Sequence, residues 1–266
     1  MSYAWPSDGD DLDALVSEFG EAAGEEGETR ALFANLICGL PWYEDSLRQF
    51  LHASRRLLSA WDRSEWTVRS FPLTLTMMRG MAGLALSLGW YLEATALLVG
   101  YDGLLRIMEL LRIRAKDVQG DLGAFSLVLE LPDTKTSSRK STGERAILTC
   151  PMACLLLKIL CEDLEPGDFV FGTLSAKVFR SRLRDLAARL GLADLFITPH
   201  SLRRGSATHL FRLCGSFDQV ASSGIWENIR TCRKYIDEAV AELSHFELQD
   251  HAKLKAAEYL LLEFFG

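Results

Sequence analysis

The sequence predicts a mostly α protein with a small antiparallel β-sheet (α+β), and three observations carry that expectation. Apolar residues recur at helical spacing along most of the 266-residue chain, the pattern of helices with one buried face. The segment FSLVLEL alternates strictly, placing Phe125, Leu127, Leu129 and Leu131 on one side, as a half-buried strand requires. The composition, 48% hydrophobic and 24% charged, is that of a globular chain able to bury one large core, with room for a small partner domain.

Three helices are expected first, in DDLDALVSEFGEAAG, ETRALFANLICGL and YEDSLRQFLHASRRLLSAWDR, with breaks at Glu25–Glu28 and Pro41. A boundary near Phe71 separates this short helical region, 1–70, from a larger domain, 71–266. Charge is divided the same way. Residues 1–60 carry four basic side chains (Arg30, Arg48, Arg55, Arg56) against eleven acidic ones, which accounts for the whole net charge of −7. Of the 29 basic and 36 acidic residues, 25 of each sign remain, so the rest of the chain is neutral. A neutral domain can still present a basic face, so the acidic total does not exclude a nucleic-acid partner; it predicts weak non-specific binding.

The apolar run MAGLALSLGWYLEATALLVG, Met81 to Gly100, approaches the length of a membrane span. Glu93 in its middle and the glycines that interrupt it mark a buried core helix instead, and no membrane partner is expected. The start, MSYAWPSDGDDLD, lacks the basic and apolar regions of a signal peptide. Six cysteines show no CxxC pair and no disulfide framework, so buried, reduced thiols in an intracellular protein are expected.

Farther on, GLLRIMELLRIRAKDV reads as a helix with a short exit. FSLVLEL and RAILTC then form a hairpin around the polar tip PDTKTSSRKSTGE. Helices follow in CPMACLLLKILCEDL and in VFRSRLRDLAARLGL, the latter closed by Gly191. In TPHSLRRGSATHL, Thr198 is a suitable N-cap and Pro199 a suitable first helical residue. His200 and Arg203 then share one face of the first turn, where free backbone N–H groups favour an anion and keep an imidazole neutral. Gly205 and Ser206 allow a backbone or ligand to come close. Arg106 and Glu109 are also three apart, in apolar surroundings that an unpaired guanidinium would not tolerate. Each pattern alone also fits an ordinary solvated face or ion pair, as Tyr235 alone fits a half-buried aromatic.

In order, these segments resemble the catalytic domain of the tyrosine recombinases, the phage integrase family, over roughly Pro72 to Asp237. GLLRIMELLRIRAKDV is similar to the segment bearing the first catalytic arginine, here Arg106, and its acidic companion Glu109. LPDTKT resembles the hairpin bearing the catalytic lysine, here Lys135, with Arg139 and Lys140 as alternatives in the same run. HSLR matches the family's His-x-x-Arg, here His200 and Arg203. WENIRTCRKY matches the last conserved position, here a Cre-like Trp226, and the nucleophile, here Tyr235.

The resemblance implies a DNA strand transferase acting on double-stranded DNA, with no metal, cofactor or small-molecule substrate. Tyr235 attacks a phosphodiester to give a 3′-phosphotyrosyl link. His200 acts as base, Lys135 protonates the leaving oxygen, and Arg106 and Arg203 hold the non-bridging oxygens. Trp226 packs at the site and Glu109 orients a neighbour. The resemblance also implies a homotetramer on DNA built through the C-terminal helix. The family's DNA-clamping domain is usually larger and more basic than residues 1–70, which would be a reduced form of it. Alternatives are a retired integrase that only binds DNA, an enzyme of the type IB topoisomerase kind, and a helical interaction module.

Overall fold

The structure, a computed structural model, describes residues 8–25, 29–64, 70–121, 126–131, 144–236 and 251–265. The chain divides into two compact units, Met1–Val68 and Arg69–Gly266.

The first unit contains α1 (Gly9–Glu25), α2 (Arg30–Tyr43), a 3₁₀ turn (Asp45–Gln49) and α3 (His52–Ser64). The third expected helix is therefore split, and α2 runs through Pro41 rather than stopping there. Pro41 is buried in the last turn, where the Glu44 N–H closes onto the Leu40 carbonyl at 3.0 Å. Leu12, Val16, Phe33, Ile37 and Leu51 form the core. Its polar anchor is Asp13, whose carboxylate accepts the N–H of Ala53 at 2.6 Å and of Ser54 at 2.9 Å, and the Ser54 hydroxyl at 2.5 Å. A carboxylate on α1 thus caps the otherwise unsatisfied start of α3.

The second unit opens with α4 (Leu75–Ser87) and α5 (Tyr91–Asp102). The run from Met81 to Gly100 is not one helix: Gly89, at φ +72°, breaks it, because a glycine adopts the left-handed conformation without steric penalty. No helix among the described residues is long and apolar enough to cross a membrane. The expected helix over GLLRIMELL is likewise absent. α5 ends at Asp102, Leu104 takes φ +49°, and Arg106 caps a four-residue helix, α6 (Ile107–Leu110).

The sheet has three antiparallel strands in the order β1 (Val118–Asp121), β2 (Ser126–Leu131), β3 (Glu144–Leu148). Leu127, Leu129 and Leu131 are buried, as the alternation requires, and pair with Leu148, Ala146 and Glu144. Phe125 and the hairpin tip with Lys135, Arg139 and Lys140 lie outside the described residues. β1 was not anticipated, because VQGD is too short to alternate and contains Gly120 at φ +114°.

Among the described residues the unit continues with helices α7 (Pro151–Cys161), α8 (Ala176–Arg189), α9 (Pro199–Cys214), α10 (Phe217–Ser223), α11 (Ile229–Arg233) and α12 (His251–Phe265). Gly191 follows α8 at φ +72°. None of the six cysteines is disulfide-bonded, and only Cys38 is exposed.

Two glycines set the packing. A Cβ on Gly205 of α9 would lie 1.7 Å from the Leu73 carbonyl oxygen, so this position admits only glycine and lets the segment entering α4 cross α9 backbone to backbone. A Cβ on Gly83 of α4 would lie 1.9 Å from the Ala257 carbonyl oxygen of α12. The C-terminal helix is therefore seated on α4 of its own chain, burying Leu254, Ala257 and Leu261; Arg79 of α4 pairs with Glu258 at 3.3 Å.

Two outcomes are expected. Gly83→Ala forces α12 away from α4, so amide exchange rises across residues 251–265 while β2 and β3 keep their protection. Asp13→Ala removes the cap and destabilises the first unit by about 1 kcal/mol. Burial raises the Asp13 pKa, but the Ser54 hydroxyl and the N–H groups of Ser54, Ala53 and His52 outweigh it and hold the carboxyl below its ordinary value. A folded-state pKa below the unfolded one gives stabilisation that is complete above the unfolded value and is lost as pH falls through the folded one. The gap between wild type and Asp13→Ala, read by amide exchange over residues 9–64, therefore closes below about pH 4.

Candidate active site

The site forms where α9 meets the turn between α5 and α6. Thr198 and Pro199 start α9 as expected: the Thr198 N–H donates to the Ser201 hydroxyl at 3.0 Å. His200 and Arg203 then face the same cleft, of about 630 Å³, together with Arg106, Glu109, Arg112 and Arg180.

Arg203 lies at the centre and is 2% exposed. Its Nη1 donates to the Leu104 carbonyl at 2.6 Å and its Nη2 to the Gly224 carbonyl at 2.5 Å. Nη1 also reaches Glu109 Oε2 at 3.5 Å. A guanidinium needs such acceptors to stay charged in an apolar interior. Burial and then the nearby Arg106 charge draw its pKa down to about 10, while Glu109, Tyr235 and Glu144 oppose the shift. It remains a cation at neutral pH.

Glu109 joins the two arginines. One carboxylate oxygen accepts Arg106 Nη1; the other accepts the Arg106 backbone N–H at 2.7 Å and faces Arg203. Arg106 and Arg203, far apart in sequence, are thus held by one shared carboxylate. The sequence placed Arg106 within a helix, whereas the structure places it at a helix start, where its own N–H is free to bond Glu109.

The aromatic side of the site is built on Arg203. Its guanidinium lies 4.4 Å from the ring centre of Trp226 and 5.7 Å from that of Tyr235. Tyr235 packs between Trp226, at 4.8 Å between ring centres, and His200, at 5.0 Å. Trp226 is buried, and its indole N–H has no hydrogen-bond partner among the described residues. Burial first, then the charges of Arg203, Arg204 and Arg106, lower the His200 pKa below its ordinary value, which keeps the imidazole neutral and able to take a proton.

Of the seven residues singled out in the sequence, the structure brings six together: Arg106, Glu109, His200, Arg203, Trp226 and Tyr235. Lys135 lies outside the described residues. The sequence reading missed Arg112 and Arg180. Arg180 had a visible signal: AKVFRSRLRDLAARL carries cations at 177, 180 and 184, one helical face. Among the described residues no group of three His, Cys, Asp or Glu side chains is placed to hold a metal ion.

Residues 87–242, more than half of the chain, match the model of the phage integrase family. The chain belongs to that family, the tyrosine recombinases. Its fold is similar to that of XerA recombinase, at 14% identity and a TM-score of 0.52 over 89% of this chain and 98% of that one. It is also similar to XerH site-specific recombinase bound to its difH substrate, at 16% identity and 0.58 over 88% and 70%. The Tn1549 transposon integrase in complex with a circular-intermediate DNA gives 14% and 0.62 over 88% and 85%. No curated protein matches the chain. Tyrosine recombinases cleave and rejoin DNA strands, and this chain is a recombinase of that kind.

The His200 assignment has a direct check. In a histidine NMR titration its midpoint should fall below the ordinary value of 6.5, and Arg106→Met, which removes one of the neighbouring positive charges, should move it upward.

Proposed function

We propose that Tyr235 is the nucleophile of a site-specific strand exchange on double-stranded DNA, and that Arg106 and Arg203 are the phosphate holders. The observation that supports this most directly is the tilted packing of Tyr235 against His200 and Trp226 beside the buried Arg203 guanidinium. A phenol is a weak nucleophile at neutral pH, and a neutral His200 next to it can accept the proton as the phosphorus is attacked. Two fixed guanidinium groups match the charge that grows on the non-bridging oxygens. The unpartnered Trp226 indole N–H is a further donor for a phosphate oxygen. Lys135, from the hairpin, protonates the 5′-oxygen that leaves; the energy of the broken bond is kept in the phosphotyrosyl ester, so religation needs no nucleotide. Glu109 orients both arginines.

Residues 1–70 act as a reduced counterpart of the family's clamping domain, and the enzyme assembles on DNA as a tetramer in which α12 reaches a neighbouring protomer. The outer face of α12 supports this: Tyr259, Leu262 and Phe264 are exposed although α12 is seated on its own α4.

A DNA substrate whose cleaved fragment diffuses away traps the covalent intermediate. Wild type should accumulate a protein–DNA adduct that Tyr235→Phe abolishes. Arg106→Ala should slow adduct formation by roughly 10²–10³. DNA binding with no adduct on any nicked or pooled substrate would instead identify a retired integrase, and relaxation of a plasmid without exchange between two sites a topoisomerase. Light scattering of the DNA complex, with and without residues 251–265, checks the tetramer.

A further inference from the structure

The cleft around Arg203 holds more positive charge than one phosphodiester requires. Among the described residues, Arg106, Arg180 and Arg203 line it with the carboxylate of Glu109, which Arg106 and Arg203 already engage. Arg180 comes from α8, a different element from the one that bears His200 and Arg203. It is exposed, and it makes no ion pair among the described residues.

Arg180 is also one of a row. Lys177, Arg180 and Arg184 recur three and four residues apart, so they lie along one face of α8, and all three are exposed. None of the three has a carboxylate partner among the described residues. The other long cations of this helix behave differently. Arg182 is 3.6 Å from Glu93 and lies over the Trp90 ring, and Arg189 bonds Asp185 at 3.1 Å. Ion pairing on α8 is thus confined to the faces away from the row. A helix rises about 1.5 Å per residue, so the row spans roughly 10 Å. Successive phosphates of one DNA strand advance about 3.4 Å along the duplex axis, so this length covers about three of them. The middle cation of the row opens into the cleft that holds the catalytic arginine.

We propose that the Lys177–Arg180–Arg184 face of α8 is a backbone clamp, with Arg180 holding the phosphate next to the one that Tyr235 attacks. This deepens the recombinase reading and rests on it. Guanidinium and ammonium groups that meet phosphate oxygens fix the register of a duplex without reading its bases. The clamp therefore positions the strand and leaves the choice of site to other contacts. Arg180 is a positioning residue; the reacting phosphate belongs to Arg106 and Arg203.

Because Arg180 is exposed, Arg180→Ala should fold, and Arg189→Ala on the same helix serves as a control. The probe is a duplex carrying the cleavable site and an unrelated duplex of equal length. Arg180→Ala should weaken binding to both by roughly tenfold. It should also reduce the slope of log K against log salt by about 0.9, the loss of one phosphate contact. The rate of adduct formation at saturating DNA should stay within twofold of wild type. A methylphosphonate at the phosphate flanking the cleavage position should reproduce the loss in wild type and add nothing in Arg180→Ala. Arg189→Ala should leave both readouts unchanged.

Unaltered affinity and slope in Arg180→Ala would overturn the clamp. So would a loss confined to one duplex, which signifies base readout, or a collapsed adduct rate with affinity intact, which makes Arg180 a catalytic group. The enzyme reading fails separately, through absence of a Tyr235-dependent adduct in wild type, while the binding slope still decides the clamp.

Discussion

The second unit is organised around one buried cation. Arg203 is inside the protein, and it can stay there only because two carbonyl oxygens and one carboxylate meet it. Those acceptors come from three places: the turn after α5, the start of α6 and the loop after α10. Each conforms to the guanidinium. Leu104 takes an unusual positive φ, and the loop at Gly224 brings its carbonyl inward and its own neighbour, Trp226, onto the face of the same arginine. Desolvating a charge is expensive; the Arg203 Nε–H already has no acceptor among the described residues, and losing one more would leave a larger part of the charge unmet. The geometry of the site and the stability of its surroundings are therefore a single constraint.

Electrostatics inside the cleft follow from that constraint. Glu109 offsets part of the repulsion between Arg106 and Arg203, which allows two cations to share a small volume. Burial first, and then the remaining positive field, lower the His200 pKa and favour its neutral form. A single set of fixed charges thus favours an anion in the cleft and leaves the neighbouring imidazole able to accept a proton. The Tyr235, His200 and Trp226 rings, packed at a tilt to one another, add shape to this field.

Much of this was legible in the sequence, and the failures have physical causes. Strong local signals held: the Thr198–Pro199 start of α9, the alternation of β2, the left-handed Gly191, and the close approach that Gly205 permits. Helix boundaries within continuous apolar runs did not, because periodicity in MAGLALSLGWYLEATALLVG and GLLRIMELL is the same whether the chain is straight or bent. Gly89 and Leu104 turn it there, and the demand for the Leu104 bend comes from Arg203, about a hundred residues away in sequence. A tertiary requirement of that kind leaves no local mark. Six of the site residues were found through the order of short motifs. Arg112 and Arg180 belong to no motif, and only the fold brings them to the cleft.

The distribution of the acceptors around Arg203 has a consequence for the life of the chain. Tyr235 is synthesised after every other component of the site, and a polypeptide lacking the Gly224 loop cannot complete the cage around the guanidinium. A chain that ends before that loop therefore lacks both the last acceptor of Arg203 and Tyr235, so the buried cation and the phenol beside it are completed together.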